Sequence, residues 1–119
     1  MPRLMVLIVV LVAAGCLRPG RAVAHAILMD SQPAAQATVP PGPAGVRLRF
    51  NSRIDQARSR LVFRTGQNET ALPLDSASSA DTLAASTILA PGSYVMRWQV
   101  LAVDGHITRG DVPFTVRAP

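Results

Sequence analysis

The chain has 119 residues, about half of them apolar, with twelve arginines and seven acids for a formal net charge of +5. Arg3, Arg18 and Arg21 fall in a stretch that reads as a cleaved leader, which leaves nine arginines against seven acids and a net +2 on residues 25–119. So mild a surplus, spread singly and without a basic–aromatic patch, excludes nucleic-acid binding as the main role. The remaining chain is long enough for one small domain with a single modest core.

In chain order the first element is that leader. Met1-Pro2-Arg3 is a short positive start, Leu4 to Ala14 is an uncharged apolar run, and Ala22-Val23-Ala24 has the small-x-small form of a peptidase site. These are the parts of a secretory signal peptide. The expected organisation is a cleaved signal over 1–24 and one domain over 25–119, exported to the periplasm. The apolar run is too short to span a bilayer, and Arg18, Pro19 and Arg21 follow it at once, so no membrane span is expected in the mature form. Cys16, the only cysteine, leaves with the leader, and residues 25–119 have no disulfide to form. A competing reading starts from Ala13-Ala14-Gly15-Cys16, which resembles a bacterial lipobox. Lipidation at Cys16 would anchor the protein and keep His25 internal; alanine, where leucine is usual three residues before the cysteine, argues against it.

Beyond the leader the chain reads as short strands. Val46, Leu48 and Phe50 alternate with Arg47 and Arg49, and Leu61 and Phe63 repeat the pattern beside Arg60 and Arg64. Tyr94, Met96, Trp98 and Val100 share one parity, and Val112, Phe114 and Val116 repeat it near the end. This period of two marks half-buried strands. Weaker strands are expected over His25–Met29, Ala71–Leu74 and Asp81–Leu89. Pro40-Pro41-Gly42-Pro43, Thr65-Gly66-Gln67-Asn68 and Pro91-Gly92-Ser93 read as turns, and Ser76–Ala80 as a small loop. About seven short strands without an amphipathic helix predict an all-β fold, an antiparallel immunoglobulin-like β-sandwich with Greek-key connections. The five aromatics of residues 25–119 all sit on the apolar parities, so they are expected in the core. Met29 and Met96, each alone among apolar neighbours, are read as core filler as well.

Cleavage after Ala24 would make His25 the first residue, carrying a free α-amine and an imidazole that together form a chelate. The only other histidine is His106, in Asp104-Gly105-His106. In an extended segment Asp104 and His106 would point to one side, roughly 7 Å apart at the backbone. The plainer reading is a turn between two strands, with Asp-Gly meeting turn geometry, and the motif alone does not decide between them. The second histidine at the expected new terminus tips the balance toward a metal. The His25 amine and imidazole, the His106 imidazole and an Asp104 oxygen favour one tetragonal Cu(II) per chain over Zn(II), and oppose Cu(I). Catalysis by a serine or cysteine nucleophile is disfavoured, because no nucleophile elbow and no mature cysteine are present.

Over residues 25–117 the sequence resembles the CopC family of exported copper-resistance proteins. The resemblance rests on His25-Ala26-x-Leu28-x-x-Ser31-x-Pro33-Ala34, Val46-x-Leu48-x-Phe50, Gly92-x-Tyr94-x-x-x-Trp98-x-Val100, and Asp104-Gly105-His106 followed by Gly110 and Phe114-Thr115-Val116. It implies a β-sandwich that binds Cu(II) through His25, Asp104 and His106. It also implies a non-enzymatic, monomeric carrier or buffer for copper homeostasis, resistance or import, with an inner-membrane copper importer of the CopD type as partner. The chain departs from the family in three places: Gln36 replaces a usual glycine, Asn51-Ser52-Arg53 lacks a usual acidic residue, and the methionine-rich Cu(I) segment of some members is absent. Two other readings stand beside this one. A histidine-brace copper monooxygenase also uses an N-terminal histidine plus a second one, although a bound Asp104 would occupy a position that oxygen chemistry needs. The other is a structural β-sandwich lipoprotein anchored at Cys16.

Overall fold

The computed structural model describes residues 25–76 and 79–119. The leader, its cleavage after Ala24 and the Cys16 alternative therefore lie outside the described residues. The alternation of apolar and charged side chains becomes eight strands: β1 (Leu28–Gln32), β2 (Thr38–Val39), β3 (Gly42–Phe50), β4 (Ile54–Thr65), β5 (Asn68–Ala71), β6 (Thr82–Leu89), β7 (Gly92–Ala102) and β8 (Ile107–Val116). They form a three-stranded sheet in the order β1-β3-β6 and a five-stranded sheet in the order β2-β8-β7-β4-β5. The apolar sides of the two sheets meet in one core.

The expected all-β sandwich is the observed architecture, with one strand more than the pattern suggested. The added strand, β2, has two residues and so shows no periodicity. It pairs parallel to β8 through Thr38↔Thr115 and Val39↔Val116, whereas every other pair is antiparallel. Gln36, just before it, adopts a φ of 65° and donates its N–H to Pro113 O at 2.7 Å. A left-handed residue at that turn explains why glycine would suit it.

Three expected boundaries move, each for a physical reason. The first strand begins at Leu28 rather than His25, because its ladder with β3 starts at the Leu28↔Phe50 pair. The expected strand over Ala71–Leu74 is instead Asn68–Ala71, exposed along its whole length and therefore without an apolar signature; Leu72 and Leu74 follow it as partly buried packing residues. β3 runs back into the proline-rich segment read as a turn, and Pro43 pairs with Ile88 of β6. The β1–β3 ladder reaches only Gln32↔Arg47, so Pro43 lies where that side of β3 needs no donor.

Val46, Leu48 and Phe50 of β3 and Leu83, Ala85 and Leu89 of β6 face Leu61, Phe63, Met96, Trp98, Val100, Val112, Phe114 and Val116 of the other sheet. Phe50 and Trp98 join the sheets edge-to-face, 5.1 Å between ring centroids. Opposite Trp98 in the β7–β8 ladder is Gly110, and a Cβ there would run into the indole. All five aromatics pack in or against the core, as expected. Met96 is fully buried, but Met29 is 54% exposed, which corrects its reading as core filler. The β1–β3 register shifts between Leu28 and Asp30, so Met29 is the extra residue of a bulge and drops out of the inward alternation.

The register also gathers several chain segments at one end of the sandwich. The start of β1 lies beside the end of β3 (Leu28↔Phe50), and the start of β4 beside the end of β7 (Ile54↔Ala102). The hairpin from β7 to β8 turns at that same end, beyond Leu101↔Ile107.

Candidate metal centre

Asp104 and His106 stand in the β7–β8 hairpin, and the segment is a turn rather than the extended stretch that would hold them about 7 Å apart. Gly105 N–H donates to Ala102 O at 2.9 Å and Ala102 N–H to His106 O at 2.8 Å, closing a loop over residues 103–105. Gly105 has a φ of 89°, the left-handed conformation that ends three-residue hairpin loops of this kind. Asp-Gly thus meets turn geometry and also serves the site, because the turn brings Asp104 onto His106. Asp104 Oδ1 accepts the His106 backbone N–H at 3.1 Å, and Asp104 Oδ2 lies 3.0 Å from His106 Nδ1.

His25 reaches the same place from the other sheet. Its ring centroid lies 5.1 Å from that of His106, in an edge-on arrangement with 81° between the planes. Two residues hold the segment that carries it. Ala26 is fully buried in the core. Ile27 donates its N–H to Asn51 Oδ1 at 2.7 Å and accepts the Asn51 N–H on its carbonyl at 2.9 Å. Asn51 follows the last residue of β3. The sequence pattern singles it out only as a departure from an acidic position, since a side chain that prolongs a ladder by one rung leaves no periodic trace.

The charges around Asp104 agree with this geometry. Its carboxyl is held below the usual carboxylate range, chiefly by the His106 backbone N–H. Partial desolvation opposes the shift; the His106 side-chain hydrogen bond and the positive character of the His106 and His25 rings add to it. The side chain of His106 is 56% exposed and that of Asp104 27%, and His25 is exposed as well, so both rings open to solvent.

All three residues expected at the site therefore meet at one end of the sandwich, although His25 precedes a strand of one sheet and the other two stand in a hairpin of the other. Among the described residues no three His, Cys, Asp or Glu side chains form a ready-made metal cluster. The donor set fits Cu(II): two imidazoles within one ion's reach of each other, a carboxylate beside them, and no thiolate.

Comparison with known proteins bears on the same stretch. Residues 28–117 match the CopC domain family, a span that includes Asp104 and His106 and begins three residues after His25. Protein YobA of Escherichia coli K12 is 30% identical over 99 residues, covering 79% of this chain and 80% of that protein. The crystal structure of CopC from Methylosinus trichosporium OB3b superposes with a TM-score of 0.68 at 32% identity, covering 78% of this chain and 94% of that one. PcoC, a methionine-rich copper resistance protein from Escherichia coli, shares the fold with a TM-score of 0.64 at 22% identity, covering 79% and 100%.

Proposed function

Since the chain belongs to the CopC family, we propose that it is an exported, non-enzymatic protein that carries or buffers one Cu(II) ion per chain in the periplasm. The observation that carries this reading is the meeting of the His25 and His106 rings, 5.1 Å apart, beside the Asp104 carboxylate. These are the only two histidines of the chain, 81 positions apart in sequence, and the fold puts both at one end of the molecule.

His25 and His106 are the metal ligands in this proposal. With cleavage after Ala24, His25 adds its α-amine to its imidazole, which makes three nitrogens in all. The sequence resemblance implies that Asp104 binds the ion directly. Its contact with His106 Nδ1 supports a different role: a carboxylate that accepts the Nδ1 proton leaves Nε2 as the free donor and fixes the ring's direction. The exposure of the rings suits a cargo ion that is taken up and passed on. A buried structural metal would be closed off. The receiving partner in this reading is a membrane copper importer, and the carrier is a monomer.

The test is an intact mass of the exported protein followed by a Cu(II) titration read by electron paramagnetic resonance. The expected results are a chain of residues 25–119 and one tetragonal centre with nitrogen coupling. A diacylated chain starting at Cys16, or tight Cu(I) binding in preference to Cu(II), overturns the proposal.

A further inference from the structure

We infer that Asn51 is a positioning residue of this site, a clamp that sets where His25 stands relative to His106. The inference rests on the Cu(II) reading above.

The β1–β3 ladder ends at Leu28↔Phe50. One step further out, Ile27 would have a free N–H and a free carbonyl at the edge of solvent. Asn51 takes both: its backbone N–H donates to Ile27 O at 2.9 Å, and its side-chain Oδ1 accepts the Ile27 N–H at 2.7 Å. The side-chain amide thus replaces the backbone carbonyl that a longer ladder would have supplied. Any residue at position 51 could make the first bond; only a side chain with an acceptor at that reach makes the second.

The consequence falls on His25, two residues before the clamped one. Its other anchor is the buried methyl of Ala26, which resists withdrawal from the core but does little to fix rotation of the chain about it. Removing the Oδ1 bond leaves the three residues ahead of Leu28 held by one backbone hydrogen bond at Ile27 O and by the small side chain of Ala26. The His25 ring then samples positions away from His106, and the ion meets two histidines that are no longer held together. Outer partners that orient ligands in this way commonly contribute about 10- to 100-fold in metal affinity.

The experiment uses the exported protein with three substitutions. Asn51→Ala deletes the acceptor, Asn51→Leu deletes it at similar volume, and Asn51→Asp keeps it. Cu(II) affinity is read by competition with a chromophoric chelator, together with the paramagnetic resonance spectrum. Amide hydrogen exchange of the copper-free proteins reports the clamp itself. The expected result is about a 10-fold loss of affinity or more for Asn51→Ala and Asn51→Leu, with Ile27 losing protection while β3 and β7 keep theirs, and near-native behaviour for Asn51→Asp. Native affinity and spectrum in Asn51→Ala overturn the inference and leave the copper reading standing. An Asn51→Asp protein as weak as Asn51→Ala also overturns it, because the acceptor would then be irrelevant, and so does a loss of protection spread over the whole domain. A native protein that binds no Cu(II) overturns the copper reading and the inference with it.

Discussion

Replacing Asp104 by Asn separates a carboxylate that orients His106 from one that binds the metal. Asp104 uses one oxygen on the His106 backbone N–H, at 3.1 Å, and the other on His106 Nδ1, at 3.0 Å. Both partners are donors, and an ionised carboxylate can accept from both. An amide has one acceptor. If its oxygen keeps the backbone N–H, its NH2 group faces Nδ1, which must then shed its proton and accept. The imidazole switches tautomer, and the proton moves to Nε2, the nitrogen the proposal assigns to copper. The side chain is 27% exposed, so water can take part of the lost partner's place, and the loss belongs at the lower end for outer partners of a ligand, about 10-fold. Asp104→Ala leaves the ring free to choose either tautomer and is expected to lose no more than Asp104→Asn. A directly bound Asp104 predicts the reverse order, since Asn still offers an oxygen and Ala does not. Competition titrations of the native, Asp104→Asn, Asp104→Ala and His106→Ala proteins at one pH rank them. The orienting role is refuted if Asp104→Asn binds near native affinity and clearly tighter than Asp104→Ala.

Adding one glycine before His25 keeps both rings but turns the His25 nitrogen into an amide; the expected loss of Cu(II) affinity matches that of His106→Ala, and unchanged affinity in the same titration would remove the N-terminal chelate. Gly110→Ala drives a methyl into the indole of Trp98, a side chain packed on Phe50. Overpacking of this kind costs about 1–3 kcal/mol, or a fall in melting temperature of roughly 5–20 °C for a domain of this size. Because Trp98 is the only tryptophan, its emission should shift with the melt, and an unchanged melt and spectrum would contradict the packing described. The depressed Asp104 carboxyl adds stability to the copper-free fold once pH exceeds its unfolded value of about 4. That contribution disappears as pH falls through its lower folded value. Denaturant melts should therefore show native protein more stable than Asp104→Asn at pH 6 and the difference vanishing in acid; a difference that persists or grows there would contradict the shift.

Much of the sandwich is legible in the amino-acid pattern, because a sheet with one wet face writes its pleat into the residues. Val46-Arg47-Leu48-Arg49-Phe50 and Tyr94 to Val100 are strands on sight, and every aromatic falls on its inward parity. What lacks a period is misplaced or missed: β2 with its two residues, the exposed β5, and Met29, displaced outward by a bulge that no alternation announces.

The three candidate site residues are likewise readable one by one, since a histidine expected at a new N-terminus and an Asp-x-His stand out by chemistry alone. Their meeting is not. It depends on the register that sets Leu28 against Phe50 in one sheet and Ile54 against Ala102 in the other, which brings both sheets' ends together. The roles within the site depend on finer detail still. Whether Asp-Gly-His is an extended pair or a turn is decided by the β7–β8 hairpin, which folds Asp104 back onto His106. Asn51 acquires its place only because the β1–β3 ladder stops one residue short of Ile27. Residue types are properties of the chain, so sequence determined which groups could bind a metal. Distances between groups 81 positions apart belong to strand pairing and packing, and only the tertiary structure decided which group faces which.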